Sequence, residues 1–402
     1  MTQPNAPTIA IACGGTGGHL FPGLAVAEQL VKRCCAVTLL VSPKEVDQQA
    51  VKMARDVEIV TLPAVGLQNR NYFSFARSFV KAWLAARKSF RARKPAAALA
   101  MGGFTSAPPI FAAKQLGAKT FLHESNTIPG RANRWLSRFV DECFVGFPQA
   151  AARLRTSRVV VTGTPVRPQF HPRHAAACRV ALGLEADRPT ILVMGGSQGA
   201  SGLNDSIIRV LPQLAARQPQ PQFVHLSGPA DVEKVRQAYA SQNLRAVVHG
   251  FFGEMEMAMG AATLTVSRSG ASSLAEIAAV RVPSILVPYP AATDDHQYYN
   301  ARAFEESGAA LLIPKIKQPK ESEAGILEGF IGVLIADTAA REKMQLALAK
   351  WHAPQAAEQI AETMLKLIAQ GTACAGAKMP AAEGSCGCGS EHRAELRAKT
   401  AA

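Results

Sequence analysis

Two glycine-rich turns carry the clearest chemistry in the sequence. Gly14-Gly15-Thr16-Gly17-Gly18-His19 follows the apolar run Thr8–Cys13, and Gly195-Gly196-Ser197-Gln198-Gly199-Ala200 follows Thr190–Met194. Glycines let the backbone approach a phosphate closely, and a helix starting just beyond presents unpaired N–H groups and the positive end of its dipole. The chemistry this suits is capture of an anionic, nucleotide-sized ligand. Neither turn fits the better-known fingerprints: Leu20 stands where a dinucleotide motif needs glycine, and neither turn continues into the Gly-Lys-Ser/Thr of a P-loop. Taken singly, either turn also suits nothing more than tight strand–helix packing. The pair points to two α/β lobes sharing one cleft.

Three shorter polar motifs follow other apolar runs. His123-Glu124-Ser125-Asn126, with Gly130 and Asn133 beyond it, closes Thr120–His123. Ser267-Arg268-Ser269-Gly270-Ala271 precedes a helical stretch bearing Glu276, and Asp294-Asp295-His296-Gln297 with Asn300 follows Ser284–Val287 and a proline turn. In an open α/β sheet, polar groups just past the carboxyl ends of strands line the ligand crevice. Each of these residues also reads as a helix cap, for which Ser125, Asn126, Ser269 and Asp294 are well suited.

The elements that must hold these groups are legible as alternating strand and helix patterns. Strands are expected near Thr8–Cys13, Val37–Val41, Ala96–Met101, Thr120–His123, Cys143–Val145 and Val159–Thr162, a doubly wound parallel sheet. A proline-punctuated segment, Gly163 to Pro172, interrupts the rhythm. The alternation restarts at Thr190–Met194 and continues near Gln222–Leu226, Ala246–His249, Thr263–Ser267, Ser284–Val287 and Ala310–Ile313. Ile360, Met364, Leu367 and Ile368 form the stripe of an amphipathic closing helix. The expected domains are 1–164 and 165–351, with a closing helix over 352–369 that packs back on the first. Residues 370–402, rich in Gly, Ala, Ser and Lys, read as a disordered tail.

The 402 residues are 48% hydrophobic and 18% charged, a balance typical of two soluble α/β domains. A net charge of +14 and a pI near 9.6 call for an acidic partner: nucleic acid, an anionic membrane, or phosphorylated substrates. No acidic residue occurs between Glu58 and Glu124, where Arg70, Arg77, Lys81, Arg87, Lys88, Arg91, Arg93, Lys94, Lys114 and Lys119 stand among aromatic residues. Phe75, Phe79 and Trp83 fall at steps of four, giving a helix with an aromatic face and cationic flanks. That face suits an anionic membrane surface or, alternatively, packs on the sheet with its charges solvated. No nucleic-acid motif accompanies the patch, so nucleic acid is not expected as a partner. Met1–Pro7 has no basic segment followed by a long apolar one, so a cytosolic protein is expected, and no apolar window is long enough to span a bilayer. The eight cysteines then read as reduced thiols, Cys13, Cys34, Cys35, Cys143 and Cys178 among them. In the tail, Cys386 and Cys388 with His392 either hold a soft metal or belong to an unstructured terminus.

In combination these motifs resemble the MurG family, the UDP-N-acetylglucosamine transferases that convert lipid I to lipid II in peptidoglycan synthesis. The residues carrying the resemblance are Gly-Gly-Thr-Gly-Gly-His-x-x-Pro at 14–22, Gly-Gly-x-x-Ser at 102–106, His-Glu-x-Asn at 123–126, Thr-Gly-x-Pro-Val-Arg at 162–167, Gly-Gly-Ser-Gln-Gly-Ala at 195–200, Arg-Ser-Gly-Ala at 268–271 and the Gln297 segment. The resemblance implies a GT-B fold, two Rossmann-like lobes facing a cleft, with the acceptor on the first lobe and UDP-sugar on the second. By position it implies that Thr16, Gly17, Gly18 and Asn126 touch sugar or acceptor, and that Arg167 and Ser197 hold the diphosphate. Phe252 and Ala271 would flank uracil, with Ser272, Ser273, Leu274 and Ala275 leading to Glu276 on the ribose and Gln297 on the sugar hydroxyls. Two departures stand out: His296 replaces one residue of a Gln pair, and Gly-Gly-Phe-Thr-Ser-Ala replaces Gly-Gly-Tyr-Val-Ser-Gly.

The implied reaction is inverting transfer of N-acetylglucosamine to the 4-hydroxyl of the N-acetylmuramoyl unit of lipid I. His19 is the best-placed base by sequence, a neutral imidazole being available near pH 7; its alternative role is only to position acceptor or phosphate. No Asp-x-Asp pair is placed to hold a metal, and no cofactor is called for. The implied setting is the cytoplasmic face of the bacterial inner membrane, where the chain would bind peripherally to the anionic surface beside cell-wall and division proteins. Other readings are another GT-B enzyme, either a glycolipid glycosyltransferase or a UDP-N-acetylglucosamine 2-epimerase, and a sugar-nucleotide-binding regulator without turnover.

Overall fold

The computed structural model describes residues 6–14, 17–44, 48, 54, 56–63, 72–196, 199–314 and 320–376. The first lobe is built on β1 (Thr8–Ala12), β2 (Ala36–Val41), β3 (Glu58–Thr61), β4 (Ala97–Ala100), β5 (Lys119–Glu124), β6 (Glu142–Val145) and β7 (Val159–Val161). All pair in parallel, in the order β3-β2-β1-β4-β5-β6-β7. The alternation of side chains along a strand decides what packs on each face. Ile9 and Ile11 point into a cluster with Leu20, Leu24 and Leu30 of α1 (Gly17–Lys32). Ala10 and Ala12 face the other way, against α2 (Tyr72–Ala92) and α3 (Ala107–Gln115). Short helices α4 (Arg131–Leu136) and α5 (Pro148–Ala151) follow β5 and β6.

The second lobe opens with α6 (Ala175–Ala181) and carries β8 (Thr190–Met194), β9 (Gln222–Leu226), β10 (Ala246–His249), β11 (Leu264–Ser267), β12 (Ser284–Leu286) and β13 (Leu311–Leu312). Its strands are also parallel, in the order β10-β9-β8-β11-β12-β13. The helices between them are α7 (Ser201–Ala215), α8 (Val232–Ser241), α9 (Met255–Ala261), α10 (Ala271–Val280) and α11 (His296–Glu306). Two further helices, α12 (Lys320–Ala336) and α13 (Thr338–Trp351), complete this lobe and bury Leu327, Ile331, Leu334, Met344 and Leu348.

The last helix, α14 (Ala356–Gly376), crosses back, and Ala357, Ile360, Ala361 and Met364 join the core of the first lobe. The two strands of chain that pass between lobes touch at Gly163, whose φ is +81° and where an added Cβ would lie 2.3 Å from that of Ala353. No larger residue fits there without moving one crossing. α14 continues to Gly376, six residues past Gln370, so the expected disorder from 370 is corrected for that turn. The remainder of the tail, with Cys386, Cys388 and His392, lies outside the described residues.

Candidate active site

The cleft between the lobes is a cavity of about 210 Å³, formed where strand ends and helix starts converge. Gly18 and Phe21 of α1 contribute from the first lobe. Opposite them lie Gly195 and Gly196 after β8, Phe251, Phe252 and Gly253 after β10, Gly270, Ser272, Ser273 and Glu276 at the start of α10, and Gln297 at the start of α11. His249 stacks on Phe252 at 4.9 Å and fixes that ring as a flat wall.

Two guanidinium groups reach this space. Arg167 is only 5% exposed, is held over the rings of Phe21 at 4.6 Å and Phe170 at 5.2 Å, and has an Nε with no hydrogen-bond partner among the described residues. Arg268 spends Nη1 on the carbonyls of Val287 and Pro288, at 2.9 and 3.0 Å, while its Nε too is unpartnered. A buried cation with open N–H groups costs free energy unless an anion completes it. Burial pushes the Arg268 pKa down, with Glu323 and Tyr289 opposing. Glu276 lies on the same wall, and burial pushes its carboxyl up to about 7; Arg167 pulls it down and Glu256 adds to the rise.

The first-lobe side of the cleft is organised differently. His19, in the first turn of α1, faces the turn Gly102-Gly103; an added Cβ at Gly102, where φ is +121°, would sit 2.9 Å from His19 Nε2. Glycine at 102 is therefore required both by the backbone and by the imidazole. His123, fully buried, approaches the Gly163 carbonyl through Nε2 at 3.2 Å and Ser125 Oγ through Nδ1 at 3.2 Å. A carbonyl only accepts, so Nε2 carries the proton and Nδ1 accepts from the hydroxyl. Burial lowers the pKa of His123 to about 4, with the Gly163 bond opposing and His19 adding to the fall. His123 is thus a neutral structural group.

Next to it, Glu124 accepts four hydrogen bonds: Asn126 N at 2.8 Å and Asn126 Nδ2 at 3.0 Å on Oε1, Gly130 N at 3.0 Å and Asn133 Nδ2 at 2.8 Å on Oε2. Burial raises its pKa, and these donors oppose the rise. The carboxylate knots the loop after β5 and orients Asn126. Asn133 Oδ1, buried in the same loop, has no partner among the described residues.

Residues 9–145 match the glycosyltransferase family 28 N-terminal domain and residues 190–360 its C-terminal domain. Over 362 residues the chain is 34% identical to the UDP-N-acetylglucosamine--N-acetylmuramyl-(pentapeptide) pyrophosphoryl-undecaprenol N-acetylglucosamine transferase of an Anaeromyxobacter species, covering 89% of this chain and 93% of that one. With the Listeria monocytogenes protein of the same name it shares 31% over 366 residues, 90% of this chain and 99% of that one. The crystal structure of Acinetobacter baumannii MurG superposes with a TM-score of 0.68 at 28% identity, covering 90% of this chain and 100% of that one. The chain belongs to the MurG family. Its two doubly wound lobes are the GT-B architecture expected from the sequence. A UDP-N-acetylglucosamine 2-epimerase shares this fold with a TM-score of 0.64 at 14% identity, a likeness of fold alone.

Within this MurG-family frame, the residues singled out in the sequence divide into four groups. Gly18, Arg167, Phe252, Ser272, Ser273, Glu276 and Gln297 line the cavity together. Gly17, His19 and Asn126 stand at its first-lobe rim, Ala275 is half-buried on α10, and Ala271 and Leu274 turn their side chains into the second-lobe core. Thr16 and Ser197 lie outside the described residues. Sequence reasoning missed Phe21 and gave Arg268 no role of its own, although the motif that holds it was expected at the crevice. What places them is a contact between lobes and a long reach to the 287–288 turn, neither of which leaves a local pattern.

The aromatic stripe is corrected. Phe75 packs edge-on against Phe104 at 5.4 Å, Phe79 lies 6.4 Å from Phe111, and Phe79 and Trp83 pack on the core beneath α2. At helical spacing these three rings share the face that α2 turns to its own lobe. The exposed apolar side chains are instead Phe73 at 84%, Leu84 at 52% and Val80, with Trp135 of α4 nearby. Exposed Arg77, Lys81, Lys88 and Arg91 surround them. Among the described residues no helix is long and apolar enough to cross a membrane.

Proposed function

We propose that this chain transfers N-acetylglucosamine from UDP-N-acetylglucosamine to the 4-hydroxyl of the N-acetylmuramoyl unit of lipid I, releasing UDP and forming lipid II. The observation that carries the reading is the pair of buried, incompletely bonded guanidiniums of Arg167 and Arg268 at a cavity whose other walls suit a nucleoside. A ring can lie against Phe252, a ribose can hydrogen-bond to Glu276, and a sugar can reach Gln297, whose Oε1 meanwhile accepts from Tyr289 N at 2.9 Å. Ser197, with Thr16, Gly17, Gly18 and the Ala271 to Ala275 stretch, completes the donor and acceptor contacts in this reading.

In the reaction the acceptor oxygen forms a bond to the anomeric carbon as the bond from that carbon to the diphosphate breaks on the opposite face. His19 takes the hydroxyl proton. Charge growing on the departing UDP is met by Arg167, by Arg268 and by the amino end of α7, a stabilisation that acts most strongly in a desolvated cleft. Asn126 reaches the transferred sugar from the first lobe, and Asn133 steadies its loop through Glu124. We place the acceptor and membrane functions in 1–164 and donor binding in 165–351, the helix over 352–369 bracing the first.

Phe73, Val80 and Leu84, ringed by cations, provide the surface for peripheral attachment to the anionic cytoplasmic face of the inner membrane, where lipid I resides. The test is UDP release on adding a water-soluble lipid I analogue. Release that depends on both the analogue and UDP-N-acetylglucosamine is expected. Interconversion of UDP-N-acetylglucosamine with its 2-epimer, in the absence of any acceptor, contradicts the reading.

A further inference from the structure

The lobes are joined at the cleft rim by one fully buried amide. Asn300, on the second turn of α11 in the second lobe, is 0% exposed. Its Oδ1 accepts from Thr127 N and Thr127 Oγ1 in the first lobe, both at 2.9 Å. Its Nδ2 donates to Asn126 Oδ1 at 3.0 Å and to the Ser269 carbonyl at 3.2 Å. Every donor and acceptor site of the amide is used. The network also fixes which way the amide points, since a flip would set its NH2 against the Thr127 N–H.

The bonds continue on both sides. Asn126 Nδ2 is held by Glu124 in its own lobe, and Ser269 Oγ donates to the Gln297 carbonyl at 2.8 Å in the other. A single chain of hydrogen bonds thus runs Glu124–Asn126–Asn300–Ser269–Gln297 across the mouth of the cleft. A second, exposed tie lies beside it, where Asp294 meets Arg131 at 3.2 Å and Arg134 at 2.8 Å. Exposed pairs contribute little, so of these two polar ties the buried amide is the stronger, beside the apolar packing of Phe147 on Phe304 and Trp351.

We propose that Asn300 is a positioning residue for sugar transfer: it fixes Asn126 of the acceptor lobe at a set distance from Gln297 of the donor lobe, so that the sugar is gripped from both sides only when the lobes are closed. The proposal deepens the transferase reading and rests on it. UDP itself lacks the sugar and is held within the second lobe. Loss of the amide should therefore spare UDP and damage sugar transfer.

The test uses the full chain with Asn300→Ala and Asn300→Asp. The first removes all four bonds; the second keeps an acceptor for Thr127 but faces Asn126 Oδ1 and the Ser269 carbonyl with oxygen. Both should lower kcat/KM for UDP-N-acetylglucosamine by about 10–100-fold, the loss expected from unmaking buried hydrogen bonds, with UDP affinity within about threefold of the parent. Because Asn300 acts through Asn126, adding Asn300→Ala to Asn126→Ala should cost less than about threefold more. Amide hydrogen exchange at Thr127 should quicken in Asn300→Ala while the strands of the second sheet stay protected.

Near-parental turnover in both variants, equal loss of UDP binding, or multiplying losses in the double variant would each overturn it. The exchange and UDP measurements need no transfer. An inactive parent would therefore sink the transferase reading, while Thr127 exchange unchanged by Asn300→Ala would sink the proposed tie by itself.

Discussion

The two faces of the cleft use burial to opposite ends. On the donor face, burial leaves Arg167 and Arg268 with open N–H groups and lifts the Glu276 carboxyl to about 7, an arrangement that is completed only by a ligand carrying charge and hydroxyls. On the acceptor face, burial drives His123 neutral and surrounds Glu124 with four donors, so both groups are settled within the protein, with Asn133 Oδ1 the atom left open in that loop. The difference fits two substrates of different kinds. In the proposed reaction a soluble nucleotide is held by charge, whereas the lipid-linked acceptor meets a pre-ordered rim.

The largest effect that tests this contrast is expected at His19. Loss of a general base costs about 10²–10⁴-fold in rate, so His19→Ala should depress kcat to that extent while UDP affinity, measured by calorimetry, hardly changes. A comparable loss of UDP binding would put His19 on the donor face and break the contrast. Arg167→Ala should act in the reverse sense: about 100-fold in kcat/KM, with UDP binding weakened in step. Arg167→Lys should restore little, since an ammonium does not reproduce a guanidinium stacked over two rings. Gln297→Ala should cost about tenfold with UDP-N-acetylglucosamine, and a panel of UDP-sugars should show discrimination falling together with rate.

Glu276 sharpens the contrast through pH. Its folded pKa, about 7, lies above the ordinary 4.5, so between those values the folded protein keeps a proton that the unfolded chain has released. Stability of the ligand-free protein should therefore fall as pH rises through that window and level off above it. Glu276→Gln should remove this part of the slope in denaturant titrations from pH 4 to 8. Over the same range UDP affinity should rise with pH in the parent, as the ionised carboxylate becomes the acceptor for ribose hydroxyls, and stay flatter in the variant.

The smallest effect is expected outside the cleft. Phe73→Ser with Leu84→Ser should lower sedimentation with anionic vesicles by a few-fold, about 1 kcal/mol, without unfolding the protein. Phe79→Ser with Trp83→Ser should instead lower the melting temperature, because those rings are half-buried.

That last pair shows where the sequence was legible and where it was not. Strands buried on both faces, such as Gln222–Leu226, stood out as apolar runs and were placed to the residue. The edge strand Glu58–Thr61 leaves no such run, since three of its four residues are exposed and pairing with β2 is what marks it as a strand. The spacing of Phe75, Phe79 and Trp83 marks one helix face, but helical period alone does not say whether that face meets lipid or protein. Much of the donor wall was legible because local motifs at strand ends carry it. Phe21, Arg268 and the bridging role of Asn300 were not, because each depends on a partner brought near by the tertiary fold.

Transfer of an N-acetylglucosamine unit to a lipid-linked acceptor is the reaction proposed for this chain. The most direct measurement is incubation of the purified chain with UDP-N-acetylglucosamine radiolabelled in the sugar and with membrane lipid I, followed by butanol extraction. Label is expected in the lipid phase in proportion to lipid I consumed, and His19→Ala should slow its appearance by about 100-fold or more. Label that stays in the aqueous phase while UDP-N-acetylglucosamine is bound or epimerised would contradict it.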